Sequence, residues 1–251
     1  MAESHDPLHQ FVIQPLFSMH VGGFDISYTN SSLWMTIGVV TSLFFLTLAV
    51  RPKALVPGRM QMAAEVLYEF IASMIRENVG QKGRKFFPLI FTLFVVVFLG
   101  NALGLLPYSF TYTSHIIVTF ALALMIFSFV LVIGFIKHGL HFFSLFLPPG
   151  TPLFLVPLVF PLELISFLVR PITLSVRLFA NMMAGHIMLK VFAGFATMFV
   201  AAGIGGFLAA AVPTVFNAVM IAFELLIAYL QAYVFTVLSC IYLKDALELE
   251  H

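Results

Sequence analysis

Residues 191–231 read VFAGFATMFVAAGIGGFLAAAVPTVFNAVMIAFELLIAYLQ, an apolar run interrupted by one glycine cluster at Gly203, Gly205 and Gly206. Glycine is the residue at which a chain most readily reverses. The apolar character continues on both sides, from Leu153 to Leu243, so the stretch reads as two helical arms, 151–202 and 207–243, joined by one turn. The first arm alone would be ~78 Å of helix at 1.5 Å per residue, more than twice a ~30 Å hydrocarbon layer. The arms are therefore strongly tilted or broken. Pro157, Pro161 and Pro171 permit kinks, because each removes a backbone donor.

Composition agrees with a chain solvated by lipid. Hydrophobic residues make up 61% and charged residues 9% of the 251, with a mean hydropathy of +1.08, where soluble domains carry roughly 25% charge. A single cysteine rules out a disulfide scaffold or a four-cysteine metal site. A net charge of +1 excludes an electrostatic nucleic-acid binder. The fold class expected is an all-α membrane protein in a single domain, with about five membrane-embedded helices and one interfacial helix. Residues 1–32 form a polar tail facing outward, and MAESHDPLHQ lacks the basic and apolar regions of a cleaved signal. Spans follow at 33–50, 86–107 and 115–136, then the tilted antiparallel hairpin.

The segment 58–80 differs in kind. Ala63, Leu67, Phe70, Ile71, Met74 and Ile75 share one helical face, and Glu65, Glu69, Ser73, Arg76 and Glu77 another. That pattern suits a helix lying in the interface. Arg51 and Lys53, then Lys82, Arg84 and Lys85, then Lys137, and finally Lys244 all fall on the cytoplasmic or matrix side with five crossings. The N-terminus, the Tyr108 to Ser114 loop and the glycine turn then face outward. Two upright spans in place of the first arm, with Arg170 and Arg177 in a loop, would put Lys244 outside against the charge rule, so the hairpin is preferred.

Between Phe86 and Leu243 stand only six charged side chains: Lys137, Glu163, Arg170, Arg177, Lys190 and Glu224. A charge at mid-membrane costs ~2.5–3.5 kcal/mol on insertion scales and marks function by default. Glu163, Arg170 and Arg177 are spaced by seven, with Asn181 extending their face; Asn217, Glu224 and Gln231 are spaced by seven on the second arm. Each arm has one polar edge. With a turn centred near Ile204, facing residues sum to about 408–410, which pairs Arg177 with Gln231, His186 with Glu224 and Glu163 with Asp245. From the turn inward the order is titratable, fixed positive, titratable, since Arg never deprotonates while His and carboxylates exchange protons. That order describes two proton half-paths separated by an electrostatic barrier.

Bland readings compete at several positions. Arg170 can form a helix-stabilising pair or snorkel, Lys190 can snorkel, and Asn181, Asn217 and Gln231 can serve as interhelical glue. Cys240 reads as apolar packing. Arg177 is the hardest to dismiss. No HExxH, phosphate-binding loop or nucleophile elbow appears, and neither a cofactor nor a metal is expected.

The segments LELISFLVRPITLSVRLFANMMAGH from Leu162, NALGLLPYSFTYTSH from Asn101 and ELLIAYLQAYVFTVLSCIYLKDA from Glu224 resemble subunit a of the F-type ATP synthases. The likeness spans nearly the whole chain. It implies a stator in the membrane motor, non-catalytic alone, working against a ring of c subunits whose carboxylates carry protons. It also implies b-type subunits of a peripheral stalk, lipid neighbours and an indirect link to the catalytic head. By this resemblance Arg177 is the stator arginine, and Asn181 and Gln231 are its polar neighbours. His186 and Glu224 form the outer half-channel, Glu163 and Asp245 the inner one, and Asn101 lines the outer mouth. Histidine at 186 with glutamate at 224 resembles the alphaproteobacterial and mitochondrial pattern, and the bacterial inner membrane is favoured over the mitochondrial one. The runner-up is a self-contained secondary transporter of protons or cations, which would need internal repeats between its halves. A structural scaffold would need neither Arg177 nor Glu224.

Overall fold

The computed structural model describes residues 11–21, 24–25, 27–50, 58–106, 109–147, 152, 154–201 and 203–247. Arg51, Lys53, Pro107, Tyr108, Ala202 and the last four residues, all of which entered the sequence reading, lie outside these.

Six helices dominate: α1 (Asn30–Val50), α2 (Arg59–Asn78), α3 (Phe87–Gly104), α4 (Ile116–His138), α5 (Val156–Ala201) and α6 (Ile204–Leu247). Short 3-10 segments at Gln81–Phe86, Tyr112–Ser114 and Gly139–Phe146 join them. Five stretches among the described residues are long and apolar enough to cross a membrane, and α2 is not among them. Large apolar side chains stand exposed along the spanning helices, for example Val40 and Phe44 on α1 and Leu208, Val212 and Val215 on α6. An apolar exterior of that extent is suited to lipid rather than water.

The hairpin arms are continuous. α5 runs 46 residues through Pro161 and Pro171, and α6 runs 44 through Pro213. The turn is tighter than the glycine cluster suggested. Gly203 alone adopts a left-handed φ of 95°, the conformation that ends helices at little cost only for glycine. Gly205 and Gly206 lie inside α6.

The expected polar tail is structured where described. Strand β1 (Pro15–Phe17) pairs with β4 (Tyr28–Thr29), and β2 (His20–Val21) with β3 (Phe24–Asp25), giving a nested antiparallel hairpin. Its strands are too short for alternation to signal them. Asn30 joins this element to α1: its Oδ1 accepts from the Gln14 N–H at 3.2 Å and the Ser31 N–H at 2.9 Å, while its Nδ2 donates to the Val12 carbonyl at 3.1 Å.

The chain divides into two compact units. The first takes Met1–Leu43, Val96–His115 and Leu178–Gln231, with Val97, Leu178, Met182 and Ala228 fully buried. The second takes Phe44–Val95, Ile116–Arg177 and Ala232–His251. Its core includes an aromatic cluster in which Phe167 packs on Phe127, Phe142 and Phe146 at centroid distances of 5.0, 6.4 and 5.4 Å. Such offset and edge contacts add to plain apolar burial.

Candidate functional site

In the first unit, α5 and α6 bring His186 and Glu224 together. His186 Nε2 lies 4.0 Å from Glu224 Oε1, and the two residues are 8% and 4% exposed. That separation is too long for a hydrogen bond. Among the described residues neither carboxyl oxygen of Glu224 has a hydrogen-bond partner. Gly185 makes room for the carboxyl, since a Cβ there would overlap Glu224 Oε1 and Cδ.

Other polar groups of this unit share that condition. Gln231 Oε1 accepts from Asn181 Nδ2 at 3.1 Å, but its Nε2 has no hydrogen-bond partner. The same holds for both side-chain polar atoms of Asn101, for Thr113 Oγ1, His115 Nε2 and Asn217 Oδ1. Asn101 is fully buried. Burying a polar group unpaired costs roughly 1–3 kcal/mol by mutational measures, so one or two such groups in a domain are tolerated and a concentration of them calls for water.

Two residues absent from the sequence reading also contact His186. Thr111 Oγ1 lies 2.9 Å from His186 Nε2, and the Phe11 ring meets the imidazole edge-on at 6.3 Å between centroids. The hydroxyl-rich YSFTYTSH segment was a readable signal for the first, although it read as a loop and is in fact buried from Phe110 to Ser114. Nothing in the sequence signalled Phe11.

In the second unit, Arg170 is built in. Its Nη1 donates to Asp245 Oδ2 at 3.0 Å, and its guanidinium lies 5.4 Å from the Phe167 ring centre and 5.2 Å from that of Tyr242. The expected meeting of Asp245 with Glu163 is thereby corrected: two carboxylates repel, and Arg170, on the same edge of α5, takes the place. Lys137 Nζ donates to the Leu247 carbonyl and ties α4 to the end of α6. Glu163 is half-buried and bonds to none of the described side chains.

Arg177 is the exception. It is exposed on α5 and makes no hydrogen bond or ion pair with the described residues. Thr173, Ala180, Asn181 and Ala184, which recur at helical spacing around it, are exposed too. A permanent cation thus stands among exposed small and polar residues on a helix of membrane-spanning length.

The sequence profile described as "ATP synthase A chain" matches residues 32–244. The chain belongs to the ATP synthase A chain family. Curated relatives named ATP synthase subunit a agree over nearly their whole length. That of Rhodospirillum rubrum is 56% identical over 98% of this chain and 99% of its own, that of Parvibaculum lavamentivorans 53% over 98% and 95%, and that of Agrobacterium fabrum 54% over 99% and 100%. This member of the ATP synthase A chain family is therefore a bacterial membrane protein and a membrane-sector subunit of an ATP synthase, serving ATP synthesis and ion transport. Membership sets aside the self-contained transporter and the scaffold.

Proposed function

We propose that the chain is the proton-conducting stator of the rotary motor, with two offset half-channels separated by Arg177. The carrying observation is Arg177 itself, an exposed guanidinium that is unpaired among the described residues, on a helix of membrane-spanning length. Leaving such a charge to lipid is expensive, so its partner is an anion on another subunit. A ring of c subunits bearing carboxylates supplies it, and the small side chains of Ala180 and Ala184 let ring helices approach closely.

His186 and Glu224 serve the outer half-channel, with Asn101, Asn181 and Gln231 along it. The concentration of unpaired buried polar atoms in this unit supports a hydrated path, since each can be satisfied by water. Glu163 and Asp245 serve the inner half-channel, with Arg170 holding Asp245 in place. A proton enters by His186 and Glu224, neutralises a ring carboxylate, travels with the ring and leaves towards Glu163 and Asp245. Arg177 attracts the bare carboxylate and repels a proton that would otherwise cross directly. Its attraction must be transient, because a permanent buried pair would stall rotation. The chain lies in the bacterial inner membrane with its N-terminus outside and C-terminus inside, next to b-type subunits of the peripheral stalk.

The test is Arg177→Lys and Arg177→Ala, read as ATP synthesis in the intact complex and passive proton flux in vesicles stripped of the catalytic head. Lysine keeps a charge but not the planar fork, so both variants should assemble and lose synthesis. Only the alanine variant should leak. Normal synthesis in an assembled Arg177→Ala complex would refute the stator mechanism.

A further inference from the structure

Thr111 Oγ1 touches two partners, His186 Nε2 at 2.9 Å and the Gly104 carbonyl oxygen at 3.2 Å. A hydroxyl carries one proton and rotates to suit. It can donate to only one of these at a time. Ser109 Oγ lies 2.7 Å from both the Gly104 and the Leu106 carbonyl oxygens. Because Leu106 already accepts from the Ser109 N–H at 3.1 Å, the single Ser109 hydroxyl proton can serve Gly104 when the Thr111 hydroxyl turns away. Rotation therefore leaves no buried acceptor orphaned. On the other side, Glu224 Oε1 stands 4.0 Å from the same Nε2, outside hydrogen-bond reach, and neither of its carboxyl oxygens is partnered. The imidazole nitrogen thus has a hydroxyl in contact and a carboxyl just out of contact.

The position of Thr111 does not depend on that hydroxyl. Its carbonyl accepts from the Ser114 N–H at 3.1 Å and from Ser114 Oγ. The neighbouring Tyr112 hydroxyl donates to the Val96 carbonyl at 3.2 Å. Gly104 leaves room for Thr111, since a Cβ there would overlap its side chain.

We infer that Thr111 is a positioning residue of the proton relay, a hydroxyl rotor that holds His186 through Nε2 in both of its protonation states. This rests on the half-channel reading above. When His186 is an imidazolium, Nε2–H donates to Thr111 Oγ1, whose own proton points at Gly104. When that Nε2–H bond breaks, the proton passing to a water in the 4.0 Å gap that in turn gives one of its own protons to a Glu224 carboxylate oxygen, a neutral imidazole with a bare Nε2 remains. The Thr111 hydroxyl then turns and donates to it. The Thr111 hydroxyl turns back to Gly104, a hydronium from the outer side gives its extra proton to Nε2 and leaves neutral water, and Thr111 keeps its own proton throughout. One proton enters and one leaves per cycle. The rotor keeps the ring from swinging off line when Nε2 is bare, the state in which a purely accepting neighbour would repel it.

The experiment uses assembled complexes in head-stripped vesicles and measures passive proton conductance per complex for Thr111→Val, Thr111→Ser and His186→Ala, alone and combined. Valine keeps the shape and loses the rotor. It should lower conductance about fivefold, the equivalent of one hydrogen bond, while serine retains conductance within about twofold. In the His186→Ala background, Thr111→Val should have no further effect. Parental conductance in Thr111→Val, equal losses for serine and valine, or an undiminished valine effect without His186 would each overturn the inference. If Thr111→Val fails to assemble, Thr111→Ala takes its place under the same criteria. His186→Ala conducting normally would overturn the half-channel reading itself, whereas a His186→Ala defect beside a normal Thr111→Val overturns only the rotor.

Discussion

Arg170 and Asp245, 75 residues apart, meet at 3.0 Å with about 30% of each side chain exposed. The guanidinium is flanked by Phe167 and Tyr242, so this arginine is already engaged within the chain. Arg177, one heptad further along the same helix, makes no hydrogen bond or ion pair with the described residues. Two arginines on one polar edge thus differ in their surroundings, and their variants should fail differently.

Arg170→Ala should lower the thermal stability of the complex by about 1–2 kcal/mol, combining a partly exposed ion pair with two cation–π contacts. Proton conductance per assembled complex should remain within about threefold of the parent, the kinetic equivalent of less than one hydrogen bond. A double-mutant cycle with Asp245→Asn should show coupling. Strictly additive losses would mean that the pair contributes nothing.

Exchanging the outer pair as His186→Glu with Glu224→His should retain more proton flux than His186→Ala or Glu224→Ala. Both titratable groups stay in the place where the parent pair approaches to 4.0 Å. A double exchange no better than the single losses would contradict a paired relay.

Gly185→Ala should reduce flux about tenfold or more without removing any titratable group. The new methyl would occupy the space of the Glu224 carboxyl, and misplacing a reacting group by ~1 Å can cost up to about 100-fold. Adding Glu224→Asp, with its shorter side chain, should restore part of the loss; unchanged flux in Gly185→Ala would show that the carboxyl is free to move elsewhere.

Tyr112 supplies a pH-dependent contribution with a definite sign. Burial pushes its phenol from 10.0 up to about 12, so the folded chain keeps this proton where the unfolded chain has lost it. Its contribution is complete below pH 10 and is lost as pH rises from about 10 towards 12. Thermal unfolding scans across that window should show a slope that Tyr112→Phe flattens. An identical slope in the variant would assign it to other groups.

Much of the architecture was legible because it follows from hydrophobic runs and their breaks. The five spanning stretches, the two-faced α2 and the long hairpin arose that way, and the meeting of His186 with Glu224 followed from counting outward from the turn. The count fails for Gln231, which bonds Asn181 in place of Arg177, and for Asp245, and the physical reason is in the direction of helical side chains. Each leans towards its own N-terminus, so in an antiparallel pair the α5 side chains point away from the turn and the α6 side chains towards it. Contacting numbers must then sum to more than twice the turn centre. His186 with Glu224 gives 410, Asn181 with Gln231 gives 412, and Arg170 with Asp245 gives 415. Counting backbone positions alone could not supply that correction. Thr111 and the nested strands before Asn30 were hidden for another reason: hydroxyls and two-residue strands carry no periodicity.

His186 gathers its neighbours from positions 11, 111 and 224, and this has a consequence for biogenesis. A chain made from its N-terminus emits Phe11 and Thr111 long before the histidine, and Glu224 only near the end of synthesis. No truncated or half-inserted intermediate can hold all four residues in place. A membrane receiving nascent copies of this chain thus meets the complete cluster around His186 only once the second arm of the hairpin is in place.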